Sequence, residues 1–407
     1  MSILKIIELF GDEPIENVLG GLCFAPSDIV YFGTYKPNVF EEKYFDHIKR
    51  YYAMKGIKSL SLSYVQVMRN NIDDAVSKLE ACVSDGDKWL VDIIGGDDML
   101  LCAAGIVCER KSNVSLYSID PKRGYIRFSD KSMSNGRDRF DISATVEENI
   151  TLHSGAVAPY TGSGCFKYDD EFTADIDKMW RLCALGPRGY VHQRSAPQTW
   201  NRFVITAAGI EKLSKREQIA LLKNKYKVRT YLEELKRLGM VSYQKNNDGS
   251  ISDFRYKNPQ VRECIIKAGN LLEQRVFLTC KKYLGNGLCD VKTGVTISWS
   301  TDRTGNVGTE NEIDVLAMRG HCPIFISCKN GKFESEELYK LSSVADRFGG
   351  KYSKKILVAT DIAHAVDAQT VRHLRARARD MGITIIDNVQ RMNDAEFEKV
   401  LKNKLFE

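Results

Sequence analysis

Two short apolar segments in the last third of the chain carry side chains suited to cleaving a phosphodiester. Residues 311–316 (Asn-Glu-Ile-Asp-Val-Leu) contain Asp314, and residues 323–331 contain Lys329. If the segments are adjacent strands, the carboxylate and the ammonium lie side by side, because neighbouring strands are only about 4.8 Å apart. The carboxylate would hold Mg²⁺ or Mn²⁺, and the lysine would position or deprotonate the attacking water. Two ordinary strands whose polar ends face solvent would show the same spacing. The surrounding sequence is therefore needed to distinguish a catalytic site from ordinary strands.

Length and composition indicate a globular protein of two or three domains. The chain has 407 residues, 43% of them hydrophobic, and only nine prolines, which argues against long disordered regions. Neither a membrane helix of about 20 apolar residues nor a signal-peptide pattern is recognisable, so no membrane association is expected. Eleven cysteines without a CxxC pair favour a reducing, cytoplasmic location.

The positive charge is concentrated in one part of the sequence. The net charge is +6, and residues 211–290 alone contain 17 Lys and Arg against nine Asp and Glu. A local basic surplus favours a polyanionic partner such as DNA or RNA, because phosphate contacts release counterions. A solubilising helix surface is the alternative explanation of the same residues.

The first 150 residues alternate apolar strands with helices. This alternation predicts a parallel sheet in a doubly wound, Rossmann-like α/β domain. Asn71 is the expected N-cap of one of the helices. The predicted strands are residues 5–10, 28–33, 89–94 and 114–117, and the predicted helices are residues 41–55, one from about 71 and one at 99–110.

Parallel sheets bind ligands at the carboxyl ends of their strands, where helix N-termini expose unpaired N–H groups. Gly95 and Gly96 follow a predicted strand and would let the backbone approach a phosphate or a base closely. The next residues, Asp97 and Asp98, would repel a pyrophosphate but can accept from ribose hydroxyls or an adenine amino group. A tight turn with an aspartate N-cap is the alternative. Residues 11–17, at the same end of the first strand, favour a ligand site.

The middle of the chain, residues 151–258, is predicted to be a connector with a basic segment. It contains a Gly/Ser-rich stretch at 160–164 and a helical patch near 172–184. A basic helix pair then precedes two alternating strands joined by residues 247–249 (Asn-Asp-Gly), which is a strong hairpin signal. Two helices and a hairpin resemble a winged helix. Such units bind DNA or act as dimerisation spacers, and both possibilities remain open.

The last third, residues 259–407, places the candidate catalytic residues in an ordered set of elements. A helix predicted at 261–283 carries Glu273 and precedes strand 293–299, the Asp314 strand and the Lys329 strand. A helix at 334–347, a strand at 355–360, a helix at 367–381 and a strand at 383–386 follow. This order resembles the core of the PD-(D/E)XK nuclease fold, in which the first helix often carries a glutamate that points into the site.

The whole chain resembles the CARF-domain PD-(D/E)XK nucleases of type III CRISPR systems, the ancillary effectors that cyclic oligoadenylate activates. The resemblance implies a CARF sensor domain at 1–150, a winged-helix-like connector at 151–258 and a nuclease domain at 259–407. It also implies a homodimer that shares one cyclic tetra-adenylate and cuts DNA, RNA or both. The segments that carry it are 8–17 (ELFGDEPIEN), 92–96 (DIIGG), 269–273 (GNLLE), 311–315 (NEIDV), 326–331 (ISCKNG) and 347–352 (RFGGKY).

The resemblance also implies the ligand-binding residues of the sensor. They lie in the loops that follow its predicted strands. The implied set is Gly11, Asp12, Glu13, Pro14, Asn17, Thr34, Gly95, Gly96, Asp97 and Asp98.

In the nuclease domain, Asp314 matches the first acid of the family pattern and Lys329 matches its lysine. The second acid belongs two residues before the lysine, where this chain has Ser327, and a hydroxyl does not replace a carboxylate's charge on a hard cation. Glu312 lies on the same face of the strand as Asp314, and either Glu312 or Glu273 would then complete the site. Asp314 and Glu273 are expected to bind the metal, Mn²⁺ or Mg²⁺.

A second function class is compatible with the same residues. The chain would be a non-catalytic regulator that senses a cyclic nucleotide and binds DNA through residues 211–257. Ser327 favours this alternative, whereas the retained Asp314, Lys329 and Glu273 favour the nuclease.

Overall fold

The computed structural model describes residues 4–407 except 85, 131–138, 160–165, 188–195, 208, 225, 300–308, 332–333, 361 and 363–366. The predicted Gly/Ser-rich stretch at 160–164 lies outside the described residues. The described residues form two six-stranded sheets and one two-stranded hairpin. Within these ranges, no helix is both long enough and apolar enough to cross a bilayer.

The N-terminal sheet is the predicted doubly wound sheet. Its order is β3-β2-β1-β4-β5-β6, with β1 to β5 parallel and β6 antiparallel at the edge. Strands β3 and β6 were not predicted. The strands are β1 (Leu4–Leu9), β2 (Asp28–Gly33), β3 (Ser61–Gln66), β4 (Lys88–Asp92), β5 (Val114–Asp120) and β6 (Tyr125–Phe128).

Helices cover both faces of this sheet. Consecutive residues of β1 face opposite sides, so Ile6 packs in one apolar cluster and Ile7 in the other. Two helices begin as predicted, because Asn71 accepts from the Asp74 N–H and Asp97 from the Leu100 N–H, both at 3.0 Å. The helices are α1 (Leu19–Phe24), α2 (Pro37–Phe40), α3 (Asp46–Met54), α4 (Ile72–Cys82) and α5 (Asp98–Arg110), and a π-helical segment (Glu41–Phe45) joins α2 to α3.

The middle of the chain is mostly helical and ends in the predicted hairpin, β8 with β9. Trp200 and Phe203 of this region share an apolar cluster with Val315 and Ile326 of the C-terminal domain, so the two regions have a common core. The elements are α6 (Val146–Leu152), β7 (Ala156–Val157), α7 (Asp170–Leu185), α8 (Ala196–Ala207), α9 (Lys215–Asn224), α10 (Tyr226–Arg237), β8 (Val241–Lys245) and β9 (Ile251–Tyr256).

The C-terminal sheet has the order β14-β13-β12-β11-β10-β7. Strands β10, β11 and β12 are antiparallel, and β12, β13 and β14 are parallel. Its elements are α11 (Pro259–Ile266), α12 (Asn270–Lys281), β10 (Asp290–Ser298), β11 (Glu310–Arg319), β12 (Cys322–Lys329), α13 (Glu336–Gly349), β13 (Lys354–Ala359), α14 (Ala368–Asp380), β14 (Ile383–Ile386) and α15 (Asp394–Phe406).

The prediction of one helix over 261–283 is wrong, because α11 and α12 are separate helices. Lys267 adopts an extended backbone with φ −118° and ψ 118°, which ends α11. The Asn270 side chain donates to the Glu263 carbonyl at 3.1 Å and so satisfies a carbonyl in the last turns of α11. The interruption places Glu273 in the first turn of a new helix.

Residues 146–157 connect the two parts of the molecule. Val146 and Ile150 of α6 pack with Phe348 in the core of the C-terminal domain, and Val157 of β7 pairs with Ile297 of β10. The predicted boundary at residue 150 therefore falls inside α6, a helix that packs against the C-terminal sheet.

Candidate functional site

Asp314 and Lys329 lie on adjacent antiparallel strands, β11 and β12. The register pairs Val315 with Ile326, which brings Asp314 next to the end of β12. Oδ2 of Asp314 accepts from the Cys328 N–H at 2.6 Å and from the Ser327 hydroxyl at 3.2 Å. These two donors fix the carboxylate at one position on the sheet.

Glu273 reaches the same place from the first turn of α12. Thr293 of β10 links the two acids, because its Oγ1 lies 2.7 Å from Oε1 of Glu273 and 3.1 Å from the Asp314 carbonyl oxygen. The structure therefore brings Asp314 and Glu273 together, in agreement with the sequence prediction. Thr293 was not predicted, because nothing in its sequence surroundings distinguishes it from other strand threonines.

Both carboxyl groups are buried, and this changes their protonation. Burial and the neighbouring Asp314 raise the pKa of Glu273 to about 8. Burial also raises the pKa of Asp314, although the Cys328 N–H and Lys329 oppose the shift. The pKa values of both acids stay raised, so the nearby lysine does not fully compensate their negative charge, and a divalent cation would add positive charge.

The donor set fits a cation that keeps several waters. Within the described parts of the chain, no three His, Cys, Asp or Glu side chains are grouped as metal donors. Mg²⁺ is commonly held by one or two carboxylates together with water and substrate phosphate oxygens. Asp314 and Glu273 fit that requirement for Mg²⁺ or Mn²⁺.

Lys329 is paired with a residue that the sequence analysis did not identify. Its Nζ lies 2.6 Å from Oε2 of Glu337, in the first turn of α13. Partial burial raises the pKa of Glu337, but the lysine outweighs that effect and lowers the pKa below its usual value. A cavity of about 70 Å³ is lined by both residues and by Asp314, Ser327 and Glu312. Of these acids, only Glu312 is exposed.

In the N-terminal domain, the loop of residues 11–17 is closed by the buried Asn17 side chain. The Gly11 N–H donates to Oδ1 of Asn17 at 2.9 Å, and Nδ2 donates to the carbonyls of Gly11 at 2.9 Å and Glu13 at 3.1 Å. A Cβ on Gly11 would lie 3.1 Å from the Gly95 Cα, so the two predicted ligand loops touch. Gly96, at φ +84°, has a backbone that favours glycine.

The other predicted sensor residues lie at the same edge of the sheet. Asp12 accepts from the Tyr35 hydroxyl at 2.8 Å, and Thr34 precedes that tyrosine at the end of β2. Asp97 and Asp98 are exposed, but Asp97 already caps α5. The structure therefore gathers the loops after β1, β2 and β4, although the Asp97 carboxylate also has the structural role considered as an alternative.

The C-terminal residues 261–403 match the family model described as the Card1-like endonuclease domain. This region is therefore similar to a Card1-like endonuclease domain. It contains Glu273, Asp314 and Lys329, together with Glu337.

Solved structures resemble the chain over almost its full length. One is protein VC1899 from Vibrio cholerae, with 17% identity, a TM-score of 0.73 and 98% of each chain covered. Another is Can2 from Sulfobacillus thermosulfidooxidans in complex with cyclic tetra-adenylate, with 14% identity, a TM-score of 0.67, and 99% of this chain and 97% of that chain covered. The TM-scores and coverages establish a shared fold, and at these identities they establish the fold alone. A search of curated proteins finds no match.

The loop of residues 11–17 is docked on the C-terminal domain. Oε2 of Glu13 accepts from the Lys351 N–H at 2.9 Å, while Oε1 of Glu16 lies 2.5 Å from both the Tyr352 hydroxyl and Nζ of Lys351. Gly350, at φ +54°, lies so close to Glu13 that a Cβ would overlap the carboxylate. These five residues form the interdomain junction. The sequence analysis noted the Gly350–Tyr352 motif but not this contact.

The remaining predicted loop residue, Pro14, lies at the start of a 3-10 turn (Pro14–Asn17), where its missing N–H costs no hydrogen bond. This turn carries Glu16 and Asn17 in its last two positions. Asn17 thus closes the loop on the side of the N-terminal domain, and Glu16 faces the C-terminal domain.

Proposed function

We propose that this chain is a metal-dependent endonuclease, activated by cyclic oligoadenylate, that cuts DNA or RNA in CRISPR antiviral defence. The observation that carries the proposal is the grouping of Asp314, Glu273 and Lys329 within a Card1-like endonuclease domain. An acid pair and a lysine at one sheet edge are the groups that hydrolysis of a phosphodiester requires.

Each residue has a role that follows from its position. Asp314 and Glu273 hold Mn²⁺ or Mg²⁺, which when bound polarises the phosphate and lowers the pKa of a water molecule. The Cys328 N–H orients Asp314 at 2.6 Å, so this carboxylate is pre-positioned. Lys329 orients the attacking water and stabilises the negative charge that develops on the phosphate oxygens.

The proposed activator is cyclic tetra-adenylate, bound at the edge formed by residues 11–17, Thr34 and residues 95–98. Two observations support this location: the loops at Gly11 and Gly95 touch, and Can2, which has the same fold, was solved with cyclic tetra-adenylate. The N-terminus of α5 suits a phosphate, and the exposed Asp98 carboxylate suits a ribose or adenine group. We further propose that the chain forms a homodimer in which two sensors share one ligand.

A second candidate function is a non-catalytic regulator that binds DNA through the winged-helix-like unit. The observation in its favour is Ser327, a neutral side chain at the position of an acid. Helices α9 and α10 and the β8–β9 hairpin supply the basic segment that such a protein would use. The grouped Asp314, Glu273 and Lys329 favour the endonuclease.

Cleavage assays with Asp314→Asn test the proposal. The protein is incubated with labelled single-stranded DNA or RNA and Mn²⁺ or Mg²⁺, with and without cyclic tetra-adenylate. We expect cleavage only when metal and ligand are both present, and a loss of about 1,000-fold or more in Asp314→Asn with ligand binding unchanged by calorimetry. Glu310→Gln, an exposed acid on the same strand, is the control.

Two results would count against the endonuclease. Metal-dependent cleavage retained in Asp314→Asn would remove the assignment of this residue. Absence of cleavage by the unmodified protein, with tight binding of cyclic tetra-adenylate, would favour the regulator.

A further inference from the structure

Position 327 faces the active site but carries no charge. The Ser327 hydroxyl lies 3.2 Å from Oδ2 of Asp314 and lines the same cavity. A carboxylate at this position would therefore point at Asp314, as the family pattern requires. Serine leaves the site with two grouped acids, Asp314 and Glu273, and with a neutral side chain at the place of a further acid.

Glu337 brings a carboxylate to the same cavity from another element. It lies in the first turn of α13, which packs against β12, and its Oε2 lies 2.6 Å from Nζ of Lys329. Its Oε1 lies 3.2 Å from Nζ of Lys340, so two lysines hold it in its ionised form. Neighbouring Glu336 has a 70% exposed side chain and contacts only Lys340 among the described ion pairs.

We propose that Glu337 supplies the carboxylate that the family pattern places at position 327, as a third acid beside Asp314 and Glu273. The inference rests on the proposed endonuclease function. Charge supports it, because a hard cation prefers carboxylate oxygens and Glu337 restores the negative charge that Ser327 lacks. Position supports it as well, because Glu337 and Asp314 line one cavity and Glu337 already contacts Lys329.

The pairing with Lys329 defines what Glu337 does in the absence of a cation. Its carboxylate neutralises the lysine and holds it at the cavity wall. When Glu337 turns toward Asp314, Lys329 is released to interact with a phosphate oxygen. The glutamate side chain can change rotamer, because it is 25% exposed and is not locked in the core.

Glu312 is the competing residue. It lies two positions before Asp314 on β11 and lines the cavity, but it is exposed and makes no described ion pair with Lys329. If Glu337 is the metal ligand, Glu337→Gln weakens metal binding, and if Glu312 is the ligand, Glu312→Gln does. A measurement of Mn²⁺ binding by both variants therefore separates the two alternatives.

The test compares Glu337→Gln, the matched control Glu336→Gln, Glu312→Gln and the double variant Ser327→Glu/Glu337→Gln. Mn²⁺ binding is measured by calorimetry without nucleic acid, and cleavage is measured with metal and cyclic tetra-adenylate. We expect Glu337→Gln to weaken Mn²⁺ binding about 10-fold or more and cleavage about 100-fold. Glu336→Gln should stay within about twofold of the unmodified protein, and the double variant should recover binding and cleavage.

Three outcomes would overturn the inference. The first is unchanged Mn²⁺ binding in Glu337→Gln, even if cleavage falls. The second is a double variant that folds, as judged by circular dichroism, but recovers neither Mn²⁺ binding nor cleavage. The third is weakened Mn²⁺ binding in Glu312→Gln in place of Glu337→Gln. A double variant that does not fold leaves the decision to Mn²⁺ binding by the single variants. A protein that binds Mn²⁺ through Glu337 but never cleaves would refute the proposed function and not this inference.

Discussion

A buried pair of acids in the sensor predicts that its stability falls as the pH rises. Glu8 and Asp92 face each other on β1 and β4, and each is only 1% exposed. Oδ1 of Asp92 accepts from the Ile94 N–H at 2.8 Å, whereas Oδ2 lacks a donor unless Glu8 is protonated. Burial raises the pKa of Asp92 to about 7, and burial together with Asp92 raises the pKa of Glu8 well above its usual value.

The size of the effect follows from the shift of Asp92. Its pKa rises from 3.8 in the unfolded chain to about 7 in the folded one, so the folded state binds more protons between these values. Stability therefore decreases as the pH rises through this window. At about 1.36 kcal/mol per pKa unit, raising the pH from 5 to 8 costs the sensor about 3 kcal/mol, or very roughly 5–10 °C in melting temperature.

Asp92→Asn removes this contribution while keeping the acceptor for the Ile94 N–H. Calorimetric melting at pH 5, 6, 7 and 8 should show a smaller loss of melting temperature with pH in Asp92→Asn than in the unmodified protein. Asp73→Asn, the same change at an exposed position of α4, is the control and should retain the original slope. An unchanged slope in Asp92→Asn would refute the assignment of the pH dependence to this pair.

Two further predictions concern the sensor loop and its junction with the endonuclease domain. Asn17→Ala removes the three hydrogen bonds that close the loop. We therefore expect the affinity for cyclic tetra-adenylate, measured by calorimetry, to fall about 10-fold or more. An unchanged affinity would show that the closed loop is not needed for binding. Gly350→Ala should lower the unfolding free energy by about 1–3 kcal/mol more than Gly239→Ala. Both glycines have positive φ, but only at Gly350 does a Cβ overlap a neighbour, the Glu13 carboxylate, so equal effects would contradict this reasoning.

The sensor fold could be predicted because its strands are short apolar runs separated by helices with recognisable starts. Asn71 and Asp97 cap helices where the sequence placed them. Strands β3 and β6, at the two edges of the sheet, were missed. Strand β3 has no fully buried residue, and β6 has only four residues and includes the charged Arg127. The two-residue strand β7 has no sequence signal, since its pairing with β10 depends on the tertiary fold.

At the candidate site, the strand residues Asp314 and Lys329 and the helix residue Glu273 could be predicted, and Glu337 could not. Asp314 and Lys329 lie on strands whose alternation fixes which side chains share a face. The position of Glu337 depends on how α13 packs against β12, which strand periodicity does not encode. The acidic pair at 336–337, following the lysine strand, was the available signal, but acids in the first turn are common because they complement the helix dipole.

Helix α13 fixes a distance within the molecule. It has 14 residues, so at about 1.5 Å per residue it extends about 21 Å. Its first turn contacts Lys329, and the residue after its last turn, Gly350, contacts Glu13 of the sensor. Deleting one residue would rotate everything beyond it by about 100°, so these two contacts could not both be kept. Related chains that preserve both contacts should therefore vary in the length of surface turns such as 246–250, and not in the length of this helix.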